Sequence, residues 1–131
     1  MGASENKELI RGMFTNLAEG PQGFLDRIAD DVHYTLIGTT SFSGTFNGKA
    51  ELIKRLFEPL AVALEGGIAL TPYNFVAEGD YVVMQAHGKA TTKSGKPYNN
   101  TYCLVFRIAD GKVQEVTEYL DTALVDATFG R

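Results

Sequence analysis

Hydrophobic positions recur at helical spacing in the first half of this chain and alternate in the second. Leu9, Ile10, Met13, Phe14 and Leu17 share one helical face, with Ser4 as its cap and Gly20-Pro21 as a stop signal. Phe24, Leu25 and Ile28 predict a short second helix ending at Asp30-Asp31, and residues 32–37 then predict a strand. Residues 38–48 are rich in Gly, Thr and Ser, which predicts an irregular loop or a short hairpin. Leu52, Ile53, Leu56, Phe57 and Leu60 form a third amphipathic stripe, which Pro59 should end or kink. Gly66-Gly67 closes the helical half.

Four strands are predicted beyond that point, over residues 68–77, 81–92, 98–108 and 113–120. They are separated by Glu78-Gly79-Asp80, Ser94-Gly95-Lys96 and Asp110-Gly111. Short turns of this kind make an antiparallel meander, and Pro72 puts the first of the four at an edge or a bulge. The fold class expected is α+β: three N-terminal helices packed on a curved antiparallel sheet, with a pocket between the layers.

The hairpin over residues 98–121 carries the strongest local signal. On its first strand Asn100, Tyr102, Leu104 and Phe106 share a face, and Asn99, Thr101, Cys103, Val105 and Arg107 share the other. Arg107 marks the wetter side, so Asn100 and Tyr102 should look inward. On the second strand Glu118 lies on the face of Val116 and Leu120. A carboxylate on an apolar stripe is costly unless it has a partner or a purpose.

A chain of 131 residues suits one domain, spanning residues 1–131. The net charge of −4 and pI near 5.1 argue against nucleic acid or an anionic membrane as partner. Cys103, the single cysteine, permits no internal disulfide, which sets a reducing, cytoplasmic location as the expectation. No apolar run approaches a membrane span and no signal-peptide pattern is present. The two histidines lack metal-ligand spacing, and no phosphate loop, nucleophile elbow or dinucleotide fingerprint occurs, so no metal or cofactor is expected.

IADDVHYTLIG, SFSGTFNGKAEL, VAEGDYVVMQAHGKATTKSGKPYNNTY and FRIADGKVQEVTEYLDT, in that order, resemble the SnoaL-like, ketosteroid-isomerase-like branch of the NTF2-like superfamily over residues 6–125. The resemblance implies a cone-shaped fold with an apolar pocket for a small apolar molecule. It also implies a homodimer formed through the outer sheet face. The superfamily holds isomerases, polyketide cyclases, limonene-type epoxide hydrolases and non-catalytic binding domains, so the chemistry must be argued from the site.

Matched by motif, the three functional groups of a ketosteroid isomerase fall at Met13, at Thr35 or Leu36, and at Leu104, where none is acidic or phenolic. The Asp-Arg-Asp set of limonene-type hydrolases falls at Gln85, His87 and Glu118. That removes the arginine and leaves an acid–base pair, closer in type to a polyketide cyclase. His87 and Glu118 are therefore the expected catalytic residues, with the imidazole suited to proton transfer at neutral pH. Gln85, Asn100, Tyr102, His33, Thr35 and Asp121 are the expected polar contacts to substrate, and Asp121 also suits the cap of a C-terminal segment starting at Thr122. The function expected is cofactor-independent acid–base catalysis of cyclase or isomerase type. Epoxide hydrolysis is one alternative, and a non-catalytic binding domain for a hydrophobic ligand is another. Contact between His87 and Glu118 beside an open cavity would favour the enzyme, and a cone filled by aromatic rings the binding domain.

Overall fold

The computed structural model describes residues 2–15 and 22–130. The expected helix position Leu17 and the Gly20-Pro21 stop lie outside them. Helix α1 (Ala3–Met13) buries Asn6, Ile10 and Met13, which follow one another at helical spacing on a single face. It starts behind Gly2 with no side-chain cap, so Ser4 lies inside the helix rather than capping it. Helix α2 (Gln22–Arg27) stops before Ile28, which is 1% exposed and already pairs with Val113 as the first residue of strand β1 (Ile28–Leu36). The loop that follows contains the short strand β2 (Gly44–Asn47), which folds back on β1.

The third helical stripe forms as one run: α3 (Lys49–Leu52), a π-helical turn (Ile53–Phe57) and α4 (Glu58–Ala63). Pro59 does not end it. Proline lacks an N–H and crowds the carbonyl four residues back, and here it falls within the first two positions of α4. The wider π turn just before it fits that missing bond. Leu52 and Leu56 end up buried, with Ile53, Phe57 and Leu60 partly so.

Strands β3 (Leu64–Glu78), β4 (Tyr81–Thr92), β5 (Thr101–Ala109) and β6 (Lys112–Leu120) form the expected meander, and α5 (Thr122–Phe129) follows. Gly66 and Gly67 do not separate helix from sheet. With φ of +75° and +79° they lie inside β3, at a register shift that bends the strand. Pro72 lies on this edge strand next to a second shift. At the β5–β6 turn Asp110 and Gly111 both have positive φ, +54° and +73°, as a tight two-residue hairpin requires.

The six strands run β2-β1-β6-β5-β4-β3 in a curved, unclosed sheet. It is not antiparallel throughout, because β1 lies parallel to β6. Parallel neighbours need a long crossover, and the whole chain from β2 to β5 supplies it. The helices cover the concave face. A large cluster there joins Ile10, Met13, Leu52 and Leu56 to Val82, Met84, Phe106 and Val116. A smaller cluster of Leu64, Ala90, Tyr98 and Val125 forms beside α5. Among the described residues no helix is long and apolar enough to cross a membrane.

Phe106 is the largest fully buried side chain, set between Val82 and Val116, with the Phe14 ring 6.2 Å away. Truncating Phe106→Ala should cost about 3–5 kcal/mol in urea unfolding. A loss below about 1 kcal/mol would show that the concave core is not organised around this ring.

Candidate active site

The cross-strand register fixes which side chains face the concave side. Met84, Leu104, Glu118 and Leu36 stand opposite one another across β4, β5, β6 and β1. Met84, Leu104 and Leu36 are buried, and Glu118 is partly buried among them. Tyr34, one inward position before Leu36 on the parallel strand, reaches along the sheet and donates its hydroxyl proton to Glu118 Oε1. Its ring is held edge-on by Phe46 and Phe57, with centroids at 6.5 and 6.3 Å. Phe57 comes from the π turn, so the widened helix helps wall the site.

Glu118 Oε2 accepts no hydrogen bond from any described residue. Phe42, Leu60 and Leu120 pack against both hydrophobic clusters while remaining partly exposed, along the seam where the clusters meet. Burial raises the Glu118 carboxyl to about 7, against the opposing effect of the Tyr34 hydrogen bond. Tyr34 is itself held well above its ordinary value, by burial first and then by the Glu118 charge, so it stays a donor. The pair offers a carboxyl that can give or take a proton near neutral pH, with one oxygen fixed by the Tyr34 hydroxyl.

Asn100 was expected to contact a ligand, but its amide is fully used. Nδ2 donates to the Tyr98 hydroxyl and to the Asp121 carbonyl, both at 3.1 Å. Oδ1 accepts from Thr101 N at 2.7 Å and from Asp121 N at 3.0 Å. Two donors and two acceptors exhaust what an asparagine side chain has. Tyr102 does face inward and is 5% exposed, and burial, then the neighbouring Tyr98 and Glu118, push its pKa up. Its ring lies against Gly88, where a Cβ would meet Tyr102 Cε2 at 2.6 Å.

The expected pairing of His87 with Glu118 does not form. His87 stands opposite Thr101 on the outer face, exposed, with its ring stacked 4.5 Å from Tyr73. Gln85 is outward as well, opposite Cys103 and hydrogen-bonded by Asn74 at 2.8 Å. The residues of β4 that look inward are Val82, Met84, Ala86 and Gly88, one position out of phase with the motif matching. His33 and Thr35 likewise lie on the outer face, opposite Glu115 and Thr117. Asp121 caps α5, accepting from Leu124 N at 3.2 Å. Tyr34, the hydrogen-bond partner of Glu118, is the residue that the sequence left without a role, although its alternation with buried Val32 and Leu36 pointed inward. Among the described residues no group of three or more His, Cys, Asp or Glu side chains is placed to hold a metal.

The family model of the SnoaL-like domain matches residues 10–116. An NTF2-like protein of unknown function from Burkholderia pseudomallei K96243 superposes with a TM-score of 0.84 at 20% identity, covering 96% of this chain and 98% of that one. TerC co-crystallised with polyporic acid gives 0.80 at 24% identity, with coverage of 94% and 96%. A candidate SnoaL-like polyketide cyclase from Jannaschia sp. CCS1 gives 0.78 at 18%, with coverage of 98% and 93%. Curated proteins give no match.

A carboxyl raised from 4.5 to about 7 on folding makes stability depend on pH. Below about 4.5 both states hold the proton and the full stability is present. Between about 4.5 and 7 the unfolded chain ionises while the folded one does not, so stability falls as pH rises. The loss should be on the order of 2 kcal/mol after discounting for partial exposure. Urea unfolding of the wild type and Glu118→Gln across this window should show the difference between them growing with pH. Parallel curves would mean that Glu118 is not perturbed.

Proposed function

The chain belongs to the SnoaL-like domain family, and on that premise we propose that it is a small, cofactor-independent enzyme moving a proton on a small, largely apolar substrate. Glu118 is the proton-transferring group, and the observation that carries the reading is its partly buried carboxyl on the concave face, raised to about 7, with Oε1 held by Tyr34 and Oε2 bonded by no described residue. Tyr34 is a positioning residue that fixes the other oxygen. Tyr102 and the apolar Phe42, Leu60 and Leu120 are its surroundings. A reaction of polyketide-cyclase or isomerase type suits one carboxyl on an apolar face. Epoxide opening fits less well, because Gln85 and His87 lie on the other side of the sheet.

A non-catalytic binding domain is the second reading. It is favoured by the rings of Phe14, Phe24, Phe57 and Phe106, which pack against one another in the concave layer. The single Cys103 supports a reducing, cytoplasmic setting.

For assembly we propose a homodimer through the outer sheet face. Val76, Val83, Val105, Thr117, Thr35 and Thr45 form one uncharged row across all six strands of that face. Val76 is 54% and Tyr119 45% exposed on the same side. Light scattering should give twice the chain mass for the wild type and the monomer mass for Val105→Lys. A monomeric wild type would contradict the assembly.

The catalytic reading is tested by NMR of aryl ketones and tetralones in deuterated water, following loss of the α-C–H signal. The wild type should accelerate exchange, and Glu118→Gln should reduce the acceleration about 100-fold or more. Equal acceleration by the variant would exclude Glu118. Binding of the ketones without any exchange would favour the second reading.

A further inference from the structure

A cavity of about 360 Å³ lies where the β3–β4 and β5–β6 turns meet the start of α1, lined by Asn6, Asp80, Ile108, Ala109, Asp110 and Gly111. The Ile108 N–H donates to the Asp80 carbonyl at 2.9 Å, which holds the two turns side by side. Ile108 is separated along β5 from Leu104, the cross-strand partner of Glu118, by roughly 13 Å at the usual strand rise. The fully buried Phe106 stands between them. The cavity is therefore distinct from the surroundings of Glu118.

Turn geometry accounts for part of this lining, since Asp110 and Gly111 both take the positive φ that the hairpin requires. It does not account for Asn6. This residue falls on the buried stripe of α1 with Ile10 and Met13 and is 1% exposed. Its Nδ2 donates to the Gly79 carbonyl at 3.4 Å, which fixes the orientation of the amide, and Oδ1 has no donor among the described residues. A buried amide oxygen left without a donor is costly, and an aliphatic side chain on the same stripe would avoid that cost. Asp80 and Asp110 are exposed at the rim, and neither forms an ion pair among the described residues. Arg107, within electrostatic reach of Asp80, is bound by Glu115, and the Lys112 ammonium donates to the Asp26 carbonyl.

We propose that this cavity binds a small organic cation through an ammonium or guanidinium group shared by the Asp80 and Asp110 carboxylates and the Asn6 amide oxygen. The two carboxylates and Oδ1 can only accept hydrogen bonds, so a ligand with several N–H donors and a positive charge answers all three. The carboxylates at the rim gather the cation, and the buried amide oxygen takes one of its donors. Ile108 and Ala109 offer an apolar wall to a short alkyl stem. A metal ion fits less well. The cavity is far larger than the ~30 Å³ that a single water occupies, and no group of three or more metal-ligating side chains occurs among the described residues. The cation is either a free amine or the side chain of a lysine or arginine on a partner protein.

The test is a nitrogen-15 NMR titration of the whole chain at neutral pH with n-butylammonium and with guanidinium. Both should move the Asn6 side-chain amide signals and the backbone signals of Asp80, Asp110 and Gly111. The alcohol 1-butanol, which has the stem and a hydroxyl but no charge, should leave them in place. Asp80→Asn/Asp110→Asn removes the charge at two exposed positions with a residue that tolerates a positive φ, and should weaken both cations about tenfold or more. Nα-acetyl-lysine N-methylamide presents the same ammonium on a peptide. Its binding at least as tightly as n-butylammonium assigns the cation to a partner's side chain, and n-butylammonium binding alone assigns it to a free amine; both outcomes uphold the site. The proposal is overturned if neither cation moves these signals in the wild type, or if the folded double variant binds both unchanged. Equal shifts from 1-butanol would reduce the cavity to an apolar hollow and overturn it as well. Shifts from calcium where neither cation produces them would replace the organic cation by a metal.

Discussion

A carboxyl group withdrawn from water holds its proton more tightly, and the organisation of this protein depends on where that withdrawal happens. Glu118 lies on the concave face of a curved sheet, in register with Leu36, Leu104 and Met84, where its charged form is poorly solvated. One hydrogen bond, from Tyr34, partly offsets that cost and fixes one oxygen. Burial outweighs the bond, and the carboxyl comes to rest near neutrality instead of in the acid range. The parallel pairing of β1 with β6 makes the contact, joining residues 84 positions apart in sequence.

Other features serve the same small region. The π turn carries Phe57 to the Tyr34 ring, and Pro59 continues the helix beyond it. Gly88 gives the Tyr102 ring its seat on β4. Asn100 ties together the start of β5, the end of β6 and the Tyr98 hydroxyl, so the placement of α5 and of the tyrosines depends on one side chain. These are backbone and packing constraints that converge on the seam between two hydrophobic clusters. Polar groups inside an apolar layer carry a desolvation cost that their hydrogen bonds only partly offset.

The meander was legible in the sequence because its information is local. Alternation placed Asn100, Tyr102, Leu104, Phe106, Val116 and Glu118 on the concave face, and Asp110-Gly111 set the hairpin. The site was only half legible. Motif matching to another branch of the family put His87 beside Glu118, yet a one-residue offset on a strand reverses the face of every side chain. Lys89, sharing the parity of His87 and Gln85, already marked that side of β4 as wet, while Val82, Met84 and Ala86 marked the other as dry. Tyr34 was harder to assign. Alternation showed its direction, but its partner followed from a parallel pairing with a distant strand, which no local pattern encodes. The full use of Asn100 was hidden for the same reason, since two of its four bonds reach Asp121 on the far side of the hairpin.

The most direct test of the account is the carboxyl titration of Glu118, followed by carbon-13 NMR in the wild type and in Tyr34→Phe. The account predicts a wild-type midpoint near 7 and a higher one in the variant, because the hydrogen bond that favours ionisation is lost. A wild-type midpoint near 4.5, unchanged by the substitution, would mean that Glu118 is an ordinary solvated carboxylate and would remove the basis for acid–base chemistry at this carboxyl.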